Sequence, residues 1–118
     1  MAAPVNYFDI GCQDHEATCK FFQNVFDWEL APFGPSARTA AGEGGIPGAI
    51  TSLGHEPHQY VMVYMEVDDI PATLAKIEAA GGATVIPETP IPDGGSFAWF
   101  TDPGGNTLGL HKAQGGNQ

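Results

Sequence analysis

The 118-residue sequence predicts an α+β fold made of two βαβββ repeats. Three observations predict it. The order strand, helix, three strands is written twice along the chain. The two copies superpose at an offset of 55 residues, which puts Asp14 on Asp69, Ala17 on Ala72, Thr18 on Thr73, Phe22 on Ile77 and Val25 on Ala80. The chain then closes on a turn, Asp102-Pro103-Gly104-Gly105-Asn106, between two strand-like runs.

Each element has a local reason. Val5 to Gly11 alternates, with Phe8 and Ile10 on one face and Tyr7 and Asp9 on the other. Asp14 is an N-cap, and Ala17, Phe21, Phe22 and Val25 follow at helical spacing, so roughly 14–26 is an amphipathic helix. Trp28 to Phe33 and Ala37 to Ala41 are short strands separated by Pro32-Phe33-Gly34-Pro35. Gly42-Glu43-Gly44-Gly45 is a turn, and Ile46 to Leu53 is a fourth strand. Gly54 to His58 links the copies. Tyr60 to Val67 then opens the second, Asp69 caps a helix with Pro71 in its first turn, and Leu74, Ile77 and Ala80 form its apolar stripe. Gly81-Gly82 stops that helix, and strands follow at about 83–88, 96–101 and 106–112. The whole is read as one domain over 1–118, with repeat one at about 4–54, repeat two at about 59–112 and a tail at 113–118.

Composition excludes several classes. Four Lys+Arg against fourteen Asp+Glu give a net charge of −10, and Lys20, Arg38, Lys76 and Lys112 are scattered. Nucleic acid and anionic membrane surfaces both need a basic footprint, so neither is expected as a partner. The N-terminus shows no charged-then-apolar leader and the chain no apolar run near 18 residues, so a cytoplasmic protein is expected. Cys12 and Cys19 lack metal-site spacing and are read as inert thiols rather than a disulfide.

The closing run Asp102-Pro103-Gly104-Gly105-Asn106 with its following strand resembles the closing hairpin of the glyoxalase/bleomycin-resistance/extradiol-dioxygenase superfamily, the vicinal oxygen chelate fold. With the repeat, the resemblance covers nearly the whole chain. It implies a cup-shaped curved mixed sheet with the helices outside, and a homodimer. It also implies a metal site of four positions bearing His, Gln or Glu, which bind an ion and leave places for substrate oxygens. Carried over residue by residue, these positions are Tyr7 and Met62, each seven residues before a helix-capping aspartate, Gly109 after the closing turn, and a place around Gly48. None carries a usual ligand, so no metal and no cofactor is expected.

Other constellations carry less. His55 and His58 flank Glu56 in a Gly/Pro loop and read as solvated histidines, and His15 in a first helical turn reads as a surface residue. No nucleophile elbow, P-loop or dinucleotide-binding glycine pattern occurs. Strand parity assigns Tyr7, Asp9, Met62, Tyr64, Glu66, Thr107 and His111 to the cup face, and Phe8, Ile10, Val61, Val63, Met65, Val67, Leu108 and Leu110 to the helix face; in the strand at 96–101 parity leaves both facings open, and Trp99 with Phe97 on the cup face is the favoured one. An aromatic and methionine lining with a few polar groups suits a small-molecule ligand. The competing reading is a second core of large side chains. The expected function is small-molecule binding like the drug-sequestering branch of the superfamily, holding an antibiotic or aromatic metabolite. The alternative is a lyase, isomerase or dioxygenase with a non-standard metal site or with metal-free acid/base chemistry through His111, Asp9 or Glu66.

Overall fold

In a computed structural model of the chain, the residues described are 2–34, 36–40, 42, 44–52, 60–92 and 94–113. The elements are β1 (Val5–Gly11), α1 (His15–Phe26), β2 (Ala31–Phe33), β3 (Ser36–Thr39), β4 (Gly48–Thr51), β5 (Tyr60–Glu66), α2 (Ile70–Ala79), β6 (Ala83–Pro90), β7 (Ser96–Thr101) and β8 (Thr107–Lys112). This is βαβββ written twice. Both N-caps are the predicted aspartates: the Asp14 carboxylate accepts from the Ala17 N–H and that of Asp69 from the Ala72 N–H, each at 3.0 Å. None of the helices among the described residues is long and apolar enough to cross a membrane.

The chain divides into two compact units, one of residues 7–62 and one of residues 1–6 with 63–118. The exchange of the first six residues departs from the sequence-based boundaries, and hydrogen bonds explain it. The Glu66 N–H donates to the Pro4 carbonyl at 2.9 Å, and the Asn6 amide donates to the Glu66 carboxylate at 3.2 Å. In the first unit β2, β3 and β4 run antiparallel in that order, and β4 pairs parallel with β1. In the second, β6, β7 and β8 repeat the arrangement and β8 pairs parallel with β5. Internal duplication thus extends to topology.

The core of the second unit is Ile70 and Leu74 from α2 against Ala98, Phe100 and Leu110, with Met65, Val67, Ile77 and Leu108 packed around them. This settles β7. Ala98 and Phe100 lie under the helix, so Phe97 and Trp99 share the opposite face, which decides between the two facings that parity left open. Its closing turn is held by Asp102, whose carboxylate accepts from the Gly104 and Asn106 N–H groups and from the Asn106 amide, all at 2.9 Å.

Four expectations fail here. Val61 does not go under the helix. It is 74% exposed, because the β5–β8 ladder begins only at Tyr64. Ala80 lies outside α2 as its exposed C-cap rather than in its stripe. No residue of α1 is buried, and Phe21 and Val25 are each more than half exposed. The rings of α1 meet one another and Trp28 instead, Phe22 stacking on Trp28 with centroids 4.9 Å apart. That stack also shortens the predicted strand from Trp28: Asp27 turns left-handed (φ 59°), Trp28 folds back onto Phe22 and Phe8, and β2 begins only at Ala31.

Candidate functional site

The second unit presents a face opposite α2 on which two rows of side chains cross three strands. In the first row, Tyr64 on β5 pairs with Gly109 on β8, which pairs with Trp99 on β7. Gly109 has no side chain, so the Tyr64 ring lies down across it and reaches the far strand. There the Trp99 indole N–H donates to the Tyr64 hydroxyl at 2.8 Å. Both rings are 5% exposed. A methyl group built at Gly109 would run into the Tyr64 ring, so the glycine is required by close approach and not by its backbone angles.

The second row is Glu66, His111 and Phe97, again by register. Glu66 and His111 are neighbours on parallel strands and are both half-buried. The Val67 N–H donates to the His111 carbonyl at 2.9 Å, which fixes the strand ends side by side. Phe97 lies 6.3 Å from Trp99, centroid to centroid, and continues the aromatic wall. The structure therefore brings Tyr64, Trp99, Glu66 and His111 together, all of them singled out from sequence.

Tyr7, Asp9 and Met62 belong to the first unit. There the row equivalent to Tyr64–Gly109–Trp99 is Asp9, Ala49 and Arg38. The Arg38 guanidinium lies 3.6 Å from the Phe33 ring centroid and 5.8 Å from that of Tyr7. In the row beside it the Ser36 hydroxyl donates to the Thr51 hydroxyl at 2.8 Å. Met62 is buried at 3% exposure. The Tyr60 phenol is pushed up to about 12, first by burial and then by the negative charges of Asp9 and Cys12. Sequence reasoning missed Arg38, Phe33 and Tyr60. Parity in the strand around Ala37 was the available signal for Arg38, and continuing the Met62–Tyr64–Glu66 alternation back by two was the signal for Tyr60.

The register also resolves the fourth metal-ligand position. Gly48 pairs with Phe8, whose ring covers it on the other face, so the position equivalent to Gly109 is Ala49. The four positions thus offer a phenol, a thioether, a methyl group at Ala49 and no side chain at Gly109, a set that does not fit an oxygen-chelating ion. Among the described residues no three His, Cys, Asp or Glu side chains gather as a metal would need. His15 stands 3.7 Å from the Cys19 sulfur, and burial pushes that thiol up, with the charge of Cys12 adding to it. His55, Glu56 and His58 lie outside the described residues. A groove of about 410 Å³ on the second unit, lined by Glu88, Pro90, Ser96 and Lys112, contains no residue predicted for the site.

Comparison with known proteins identifies the superfamily and the fold. A family model described as the Glyoxalase/Bleomycin resistance protein/Dioxygenase superfamily matches residues 5–110. Curated relatives named "Putative glyoxylase CFP32", from Mycobacterium bovis and Mycobacterium tuberculosis, are 27% identical over 92% of this chain. The chain spans 45% of their length. A Mn(II)-bound glyoxalase from Novosphingobium aromaticivorans superposes with a TM-score of 0.67 at 18% identity, covering 92% of this chain and 37% of that one. A Streptomyces coelicolor methylmalonyl-CoA epimerase in complex with 2-nitronate-propionyl-CoA gives 0.68 at 14% identity, covering 98% and 97%. At these identities the structures speak for the fold.

Proposed function

Because the chain belongs to the glyoxalase/bleomycin-resistance/dioxygenase superfamily, we propose that it binds a small aromatic molecule, an antibiotic or a metabolite, without the superfamily's metal. The observation that carries this reading is the Tyr64 ring lying across Gly109 and tied to Trp99. Where an ion-binding relative needs a carboxylate or imidazole, this chain has an aromatic wall. Phe97 continues the ring surface beside them, and flat, rigid rings bind flat ligands at low entropic cost. Assembly as a cytoplasmic homodimer belongs to the same proposal and rests on the resemblance. A monomeric mass by light scattering would remove the dimer from it.

The test is a fluorescence titration with bleomycin-type and simple aromatic compounds, in a Trp28→Phe background so that Trp99 alone reports. Saturable quenching that EDTA leaves unchanged, weakened by about 1–3 kcal/mol in Tyr64→Ala, is the expected result. Equal affinity in Tyr64→Ala would take the wall out of the site.

One observation favours a second reading. Glu66 and His111 stand side by side on the same face, and a half-buried carboxylate–imidazole pair suits proton transfer. On that reading the protein is an enzyme, and His111→Ala would keep ligand affinity while abolishing turnover.

A further inference from the structure

We propose that the second unit carries a site for a short zwitterion, an ω-amino acid or a dipeptide, in the groove between the β6–β7 turn and the end of β8. The site goes beyond the aromatic wall and lies on the other face of the sheet. Ala98 and Leu110 pair across β7 and β8 under α2, and Ser96 and Lys112 are the next pair on that same face. None of the groove's residues belongs to the α2 core, so the sheet outruns its helix here and leaves a trough of about 410 Å³. Pockets for small molecules run roughly 300–1,000 Å³, so the trough has room for a guest of this size.

Backbone fixes its walls. The Ile91 N–H donates to the Gly95 carbonyl and the Gly94 N–H to the Ile91 carbonyl, each at 2.9 Å. Gly94 takes a φ of 98°, which a side chain would resist, and so closes the turn. Pro90, opposite Ser96 in register, adds a rigid apolar flank, and Ala113 adds a second.

Charge placement sets the chemistry of the guest. The Ser96 hydroxyl donates to the Glu88 carboxylate at 2.8 Å, which tethers that carboxylate over β7. Having spent its proton, the Ser96 oxygen is left as an acceptor. Lys112 stands one strand away on β8 and makes no ion pair among the described residues. Its ammonium and the Glu88 carboxylate are therefore more than 4.0 Å apart, the limit for an ion pair. One end of the groove accepts hydrogen bonds and the other donates them from an unpaired cation, with Glu88 and Lys112 both exposed to an arriving guest. A guest with only a carboxylate meets Glu88, and one with only an ammonium meets Lys112, so each is repelled at one end. A guest with both groups satisfies both ends. The anchors are set by a strand spacing of about 4.8 Å, which suits an amino group several bonds from the carboxylate better than an α-amino acid.

The test is a ¹H–¹⁵N titration of the whole chain with γ-aminobutyrate and with glycylglycine, and with butyrate and butylamine as guests that carry one charge. The expected result is a saturable shift of the Gly94, Ser96 and Lys112 amides by at least one zwitterion, with the Trp99 indole N–H unmoved and no saturation by butyrate or butylamine. Lys112→Gln and Glu88→Gln change exposed side chains, and an unaltered spectrum elsewhere shows that each variant is folded. Each should weaken that zwitterion by roughly 5- to 10-fold. Groove amides that neither zwitterion moves overturn the proposal, as do equal shifts from butyrate or butylamine, or an affinity that both variants leave unchanged. A zwitterion that moves the Trp99 indole and not the groove amides overturns it too, since its guest would then sit on the other face.

Discussion

Replacing Gly109 with alanine puts a methyl group where the Tyr64 ring lies, and the consequences can be worked through. The ring cannot shift sideways without cost, because its hydroxyl accepts from Trp99 at 2.8 Å and both rings are 5% exposed. Forcing extra volume into a packed site costs about 1–3 kcal/mol. If Tyr64 swings away, the buried Trp99 N–H loses its acceptor, which adds about 1–3 kcal/mol. Gly109→Ala should therefore destabilise by up to roughly 2–6 kcal/mol, or ~8–24 °C in melting temperature for a domain of this size. The cost should vanish in a Tyr64→Ala background, where the methyl group meets empty space. Guanidinium denaturation of the wild type, both single variants and the double variant measures this as a cycle, with an expected coupling of about 2 kcal/mol or more. Additive effects, or a single variant costing less than about 0.5 kcal/mol, would refute the packing of Tyr64 on Gly109.

Further outcomes follow from the same geometry. Leu110→Ala, at 2% exposure in the α2 core, should cost about 2–5 kcal/mol by chemical denaturation, whereas a loss under about 1 would mean the core is elsewhere. Tyr60, raised from 10.0 to about 12, holds its proton more tightly folded than unfolded, so its contribution is complete below pH 10 and is lost as the pH climbs through about 12. Denaturation midpoints between pH 9 and 12 should fall less steeply for Tyr60→Phe, and identical slopes would contradict the burial of that phenol. Asp102 is held below its ordinary value of 3.8 by hydrogen bonds from the Asn106 side chain and N–H, so its contribution is present above that value and lost as the pH falls through the lowered one. Asp102→Asn should unfold at a higher pH in an acid titration, and an unchanged midpoint would show that the turn holds without its carboxylate.

Much of the fold could be read because its signals are local. Asp14 and Asp69 cap where their spacing said they would, and the alternation around Tyr64 and Leu110 put each on its observed face. The errors come from non-local packing. Nothing near Val61 says that the ladder starts three residues later at Tyr64. The stripe of α1 promised burial that only a partner surface supplies, and Trp28 took that role for Phe22. At the site, the missing ligand at Gly109 was plain from sequence, but its reason was not. That reason lies on two other strands, in Tyr64 and Trp99, 45 and 10 residues back along the chain. Arg38 was overlooked because its strand is four residues long with small neighbours, which leaves a weak parity signal that the pairing with Ala49 makes definite.

The central claim is that the aromatic wall replaces the superfamily's metal. Elemental analysis of protein purified without chelator, repeated after addition and removal of excess Mn(II), tests it most directly. Transition-metal content far below one ion per chain in both samples, with EDTA-insensitive ligand binding, is the predicted result. One firmly held ion per chain, lost together with ligand binding in EDTA, would contradict the account and make the enzyme reading the better one.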